Sequence, residues 1–366
     1  MQDMHRTQSL LRRTLLAALV LTVAIPYAAQ AVAGGRSCSG LRPQDQLWLV
    51  SDRSLGCASN CMEPRLQYWR YDCQRHWTRA NLDELLAVED PGTNTVVYLH
   101  GNRLSSGDAF ERAWTSYRSL VRCADARPIR YIAWSWPSDK MGGPIEDARI
   151  KAARTDTTAY YLAWFLDRLD PNAPLSLWAH SFGARAATGA LHLLGGGELC
   201  GRVLERVHPE RVPANAVLLA SALDNGWILP GRFHGQALTM TAHMLLVNNC
   251  ADRLLKRYEI LSGRRSGRVA LGYAGISRRA LGPEAAKVTQ IDVSGYVGKQ
   301  HQFMLYVQSA SLMARMRAAL LSAPAGVLRK NPAESAEEVD PGEDSGPELA
   351  SAAAVTDLHA ADSTPQ

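Results

Sequence analysis

From Gln46 onward the chain alternates short apolar runs with longer stretches in which apolar residues recur every three or four positions. The short runs QLWLVSD, LQYWRYD, TVVYLHG, IRYIAWSW, LSLWAHS, AVLLASALD, HMLLVNN and VTQIDVS read as strands. Helical spacing runs through GDAFERAWTSYRSLVRCA, IEDARIKAARTDTTAYYLAWFLDRL, GARAATGALHLL, ADRLLKRYEIL and QHQFMLYVQSASLMARMRAALL. In the second of these, Tyr161, Trp164, Phe165 and Leu169 share one face, which marks it as core. The interior strands are apolar on both sides instead of alternating, as in a parallel sheet covered by helices on both faces. Right-handed strand-helix crossovers then predict a mostly parallel, doubly wound α/β sheet. The first two strands have no helix between them and are predicted to form an antiparallel N-terminal hairpin, tethered by nearby cysteines. No internal repeat or second nucleus stands out.

The two ends break this pattern. Arg12-Arg13 precedes an uncharged apolar stretch, Leu15 to Ile25, followed by the small residues Ala29, Ala31 and Ala33. That is a signal-peptide pattern, with cleavage expected near Ala31 or Ala33 and export to the periplasm or beyond. The stretch is shorter than the ~20 residues of a spanning helix. After Ser322 the composition turns to Ala, Pro, Ser, Glu and Asp with no aromatic residue, which predicts a disordered acidic tail. The expected division is therefore 1–33 signal, 34–92 a cysteine-containing N-terminal segment of the same domain, 93–322 the core and 323–366 the tail.

Charge and cysteine content refine the picture. The formal charge of +5 combines +2 in the first 33 residues, a body of +12 from Gly34 to Lys330, and a tail from Asn331 with nine acidic residues and no Lys or Arg. Such a body suits an anionic envelope surface or substrate, although a solvated basic face explains it as well. Seven cysteines, Cys38, Cys57, Cys61, Cys73, Cys123, Cys200 and Cys250, suggest disulfides in an exported chain, the odd total leaving one over. Cys57, Cys61 and Cys73 with His76 imitate a zinc site, but an oxidising compartment favours a disulfide over a metal.

Candidate chemistry concentrates where a strand runs straight into a helix, at Ala179-His180-Ser181-Phe182-Gly183. Small residues flank the serine because neighbouring backbone crowds such a turn, and Ala179 stands where glycine is usual in this nucleophile elbow. A serine hydroxyl needs a base, itself oriented by a carboxylate, in the chain order Ser, acid, His. His301 follows the last predicted strand and opens the last helix, which makes it the candidate base. Two acids compete: Asp252 after HMLLVNN and Asp224 after AVLLASAL. Asp252 is preferred because its sheet edge lies nearer the histidine loop, while either residue could equally cap a helix or line a loop. An oxyanion hole would draw on the Phe182 amide and on His100-Gly101-Asn102, with Asn102 donating and Gly101 allowing close approach.

The segments VVYLHGN, IAWSWPSD, WAHSFGAR, LLASALD, VNNCADRLL and GKQHQFML together resemble the α/β-hydrolase superfamily, and more closely a bacterial branch with Ser-Trp-Pro-Ser and Ala-His-Ser-x-Gly motifs. The resemblance runs from about Thr93 to Val307. It implies the α/β-hydrolase fold, Ser181 as nucleophile, His301 as base, Asp252 as acid, and the segment Trp134 to Ser138, with Trp136 at its centre, as a wall of the pocket. Phe182 is bulkier than the residue usual after the serine, so a narrow acyl pocket is expected. The expected activity is cleavage of an ester or related acyl bond, on a small-molecule or lipid-like acyl substrate, through an acyl-enzyme. A catalytically silent envelope binding protein, or an acyltransferase or peptidase using the same residues, are the alternatives. No dinucleotide fingerprint, phosphate loop or His-Glu-x-x-His helix is present, so no cofactor or metal is expected. The basic stretches SGRRSGR and SRR lack interleaved aromatics, so no nucleic-acid partner is expected either. The oligomeric state stays open.

Overall fold

The computed structural model describes residues 40–56, 63–74, 76–88, 92–206, 208–262 and 267–322. The predicted signal segment and acidic tail, Cys38, Cys57, Cys61 and most of SGRRSGR lie outside them. Nine strands form one sheet: β1 Gln46–Ser51, β2 Gln67–Asp72, β3 His76–Ala80, β4 Asn94–Leu99, β5 Ile129–Ser135, β6 Leu175–His180, β7 Ala214–Leu219, β8 Thr241–Asn248 and β9 Val288–Asp292, in the order β3-β2-β1-β5-β4-β6-β7-β8-β9. β2 runs antiparallel to β1 and β3, and the other pairings are parallel. This is the mostly parallel α/β sheet that the sequence predicts, with the expected N-terminal hairpin extended by β3.

The helices needed to position the site are α1 Leu82–Ala87, α2 Ser106–Val121, α3 Pro144–Asp167, α4 Phe182–Leu194, α5 Tyr258–Ser262, α6 Phe303–Gln308 and α7 Ala310–Leu321. α3 packs along α4 on one side of the sheet, while α7 lies against β6, β7 and β8 and touches α2 on the other. Strands β4 to β7 are buried almost throughout, which is why they read as unbroken apolar runs. α2 starts at a capping box: the Ser105 hydroxyl accepts from the Asp108 amide, and the Asp108 carboxylate accepts from the Ser105 amide. Among the described residues no helix is long and apolar enough to cross a membrane.

Several elements differ from the sequence reading. β3 and α1 were not expected, because HWTRA leaves two of its five residues exposed and pairs with β2 alone. The long helix expected at the end breaks at Ser309, whose hydroxyl accepts from the Leu312 amide and starts α7 afresh. The helix expected over 251–261 shrinks to a 3₁₀ turn at Leu255–Arg257 and the short α5. The expected disulfides do not draw on Cys123, Cys200 or Cys250, which are free thiols. Each sits in a turn after a different element, and two have found carboxylates: Cys200 Sγ lies 3.6 Å from Asp156 Oδ2 and Cys250 Sγ 3.3 Å from Asp292 Oδ2.

The N-terminal segment is tied to the sheet by one buried carboxylate. Asp45 accepts from the Ile129 amide (3.0 Å), the Tyr117 hydroxyl (2.6 Å) and Arg42 Nε (2.7 Å), joining the start of β1 to β5 and α2. Asp52, just past the other end of β1, is differently placed. Its Oδ2 accepts from the Thr158 hydroxyl at 2.8 Å, and burial pushes the carboxyl up from 3.8 to about 7. A carboxyl that holds its proton more tightly folded than unfolded weakens the fold as pH rises from about 4 through 7. Asp52→Asn removes that dependence. The melting temperature of the variant minus that of the wild type is therefore expected to increase between pH 5 and pH 8 in parallel thermal scans; a constant difference would contradict it.

Candidate active site

β6 delivers His180 and then Ser181, which adopts φ 55° and ψ −121°, a region that residues with a Cβ avoid. The surroundings hold it there: the Ser181 amide donates to the Leu219 carbonyl of β7 (2.9 Å), and its carbonyl accepts from Ala184 (3.0 Å) and Ala222 (3.2 Å). The crowding predicted for the elbow has a definite source. A Cβ on Gly183 would lie 2.5 Å from the Leu99 carbonyl oxygen at the end of β4, and one on Gly101 would lie 2.7 Å from His180 Nδ1. Ala179 has no exposed surface at all.

Ser181, His301 and Asp252 meet. His301 Nδ1 is 2.6 Å from Asp252 Oδ2, and since a carboxylate only accepts, Nδ1 carries the proton. That leaves Nε2 to accept from the Ser181 hydroxyl at 2.8 Å. Asp252 is completely buried, and its other oxygen accepts from the Leu254 and Leu255 amides at 2.8 and 3.0 Å. The capping role and the partnership with histidine thus fall to opposite oxygens of one carboxylate. The competing acid, Asp224, instead pairs with Arg268 Nη1 at 2.6 Å.

The loop carrying His301 has no regular structure of its own, and two side chains unforeseen from the sequence hold it. Asn249 Nδ2 donates to the Gly298 and Gln300 carbonyls (2.9 and 3.1 Å) while its Oδ1 accepts from Ala251. One amide thereby locks the histidine loop to the aspartate loop. His180 Nε2 donates to the His301 carbonyl at 3.0 Å, its ring 5.1 Å from that of His301. Burial, then the charge of His301, drives its pKa well below the ordinary imidazole value, so it stays neutral. The signal for His180 was its place beside the serine; that for Asn249 was its place three residues before Asp252, at a strand's carboxyl end.

The loop after β4 comes in from the side. The Trp136 indole is completely buried, donates to the His100 carbonyl at 2.8 Å and stacks on the His100 ring. It therefore braces the loop from behind instead of walling the pocket, as expected from the resemblance, because its N–H needed a buried acceptor. His100 Nδ1 donates to the Gly101 carbonyl at 2.8 Å, and burial lowers its pKa to about 3. Ser138, from the Ser-Trp-Pro-Ser segment, accepts from the Arg103 amide through its carbonyl and exchanges hydroxyl bonds with Leu104. The Asn102 side-chain amide donates to Asp147 Oδ2 at 2.8 Å. The Phe182 N–H is the first of α4, one of the amides a helix cannot satisfy internally.

These groups surround a cavity of about 480 Å³ lined by Gly101, Asn102, Ser181, Phe182 and His301 among others. That volume suits a small organic molecule. A hydroxyl bonded to an imidazole, itself bonded to a buried carboxylate, can lose its proton while attacking an electrophilic carbon.

The sequence matches no family model and no curated protein. Among solved structures it is distantly similar to esterases. Zea mays acyl-protein thioesterase 2 is 17% identical with a TM-score of 0.38, over 63% of this chain and 93% of that one. An acetyl xylan esterase is 14% identical with a TM-score of 0.34, over 62% and 99%. Thermogutta terrifontis esterase 2, phosphorylated by paraoxon, is 11% identical with a TM-score of 0.29, over 70% and 86%.

Since the Gly183 position meets main chain that cannot swing away, Gly183→Ala is expected to cost at least about 3 kcal/mol, seen as a fall in melting temperature of roughly 6 °C or more. An unchanged melting curve would show that the elbow tolerates a methyl group there.

Proposed function

We propose that this protein is a serine hydrolase that cleaves an ester or related acyl bond through an acyl-enzyme, and that it works outside the cytoplasm after export. The observation that supports this reading is the unbroken chain of short hydrogen bonds from Asp252 through His301 to Ser181. Ser181 Oγ attacks the acyl carbon as its proton passes to His301 Nε2. The tetrahedral oxyanion is met by the Phe182 N–H at the start of α4, with the main-chain N–H of Asn102 as second donor. His301 then gives the proton to the departing alcohol, leaving the acyl group on Ser181. A water, deprotonated by the same Nε2, attacks the acyl carbon; collapse breaks the ester to Ser181 and releases the acid. Asp252 keeps Nδ1 protonated and stabilises the imidazolium that forms twice in each cycle, while Asn249 and His180 act as positioning residues for His301.

Incubation with a fluorophosphonate probe is expected to label Ser181 in the wild type and not in Ser181→Ala. On a short-chain 4-nitrophenyl ester, Asp252→Ala is expected to lower kcat/KM by about 10³-fold or more, and Asp224→Ala by less than about tenfold, since Asp224 serves Arg268. Absence of label together with equal background rates in wild type and Ser181→Ala would refute the reading. It would favour a binding protein on the same fold.

A further inference from the structure

The cavity wall carries an unbalanced charge. Apart from the Tyr258 phenol, the titratable side chains lining it are Arg103, Arg112, Asp147, His180 and His301. Asp147 is buried and accepts from Arg103 Nε at 3.2 Å, so these two cancel. His180 is held neutral by burial, and His301 is committed to Asp252 and Ser181. Arg112 remains. It projects from α2, half-buried, with its guanidinium carbon 4.9 Å from the centre of the Phe303 ring. Among the described residues no carboxylate comes within ion-pair distance of it. The acid one helical turn earlier, Asp108, is engaged by Ser105 in the cap of α2.

A half-buried cation with no counter-ion is costly to keep in a cavity otherwise rich in apolar surface. The Phe303 ring, two residues beyond His301, lies beneath the guanidinium, and the Tyr98 hydroxyl adjoins it, leaving other N–H groups to grip a group with two or more oxygens. The body charge of +12 from Gly34 to Lys330 would draw such a solute in. We propose that Arg112 receives an anionic oxygen group on the substrate, so that the molecule cleaved carries a carboxylate or phosphate besides the scissile acyl bond. The proposal deepens the serine-hydrolase reading and rests on it. Arg112 is then a specificity-determining residue, and the reaction that supplies the substrate is one that esterifies an acid or alcohol already bearing a negative charge.

Two matched pairs of esters test this and separate the two sources of charge. The first is the 4-nitrophenyl monoester of glutaric acid against its methyl-capped form, with a carboxylate on the acyl side. The second is 1-butyryl-glycerol 3-phosphate against 1-butyrylglycerol, with a phosphate on the alcohol side. The wild type is expected to favour the charged member of at least one pair by about tenfold or more in kcat/KM. Arg112→Gln should lower that ratio at least about tenfold, and Arg112→Lys, which keeps the charge without the fork, should retain part of it. If Arg112 merely steadied the His301 loop through Phe303, both members would slow alike and the ratio would not move. A wild-type ratio near one in both pairs, or a ratio unchanged in Arg112→Gln, overturns the proposal while hydrolysis itself stands. Failure to hydrolyse any of the four, with Ser181 unlabelled by fluorophosphonate, would instead remove the serine-hydrolase reading and this proposal with it.

Discussion

The carbonyl oxygens that end β4 come so close to the first turn of α4 that no side chain fits between them. Gly183 answers that contact, and the tight path it permits forces Ser181 into its positive-φ conformation. The strain is held by three main-chain hydrogen bonds to β7, α4 and the segment after β7, so it is spread over the sheet. The same close approach brings Gly101 and Asn102 to the cavity that Ser181 lines. A loop that could otherwise lie anywhere along the sheet edge is thereby set next to the hydroxyl, with Trp136 and Ser138 of the neighbouring segment bracing it.

Around this corner, burial decides which groups ionise. His100 and His180 flank the serine, yet both are kept neutral by their surroundings and spend their N–H bonds on main-chain carbonyls. They serve as shaped, dry packing next to the reactive imidazole and add no competing positive charge. Asp252 is equally buried but is met by two main-chain amides and the His301 ring, so its charge is compensated on every side that matters. Because Asn249 ties both loops to each other, aspartate and histidine keep their mutual geometry even though neither sits on a regular element.

What could be read from the chain follows the range of the forces involved. The buried strands, the amphipathic α2 and the buried face of α3 are written in periodicity, and the elbow in small residues around a serine. β3 escaped because half its surface is wet and its existence depends on β2 as a partner. The break at Ser309 and the loss of the helix after Asp252 came from side chains that bond to nearby backbone and compete with helix continuation. Trp136 was misplaced for a different reason: an aromatic residue after a strand can face a pocket or the interior, and the nearest buried acceptor, the His100 carbonyl, settled which.

By itself, then, the sequence determined the buried strands, the helical faces and the sharp corner that presents Ser181, because each depends on residues only a few positions apart. Tertiary structure turned the preference for Asp252 over Asp224 into a contact with His301, and it alone decided that Asn249 and His180 steady that ring and that Arg112 stands in the cavity with no counter-ion among the described residues. Those outcomes join groups tens to more than a hundred positions apart. Which of two similar carboxylates reaches an imidazole depends on how the carboxyl ends of separate strands are brought side by side, and no local pattern of residues encodes that distance.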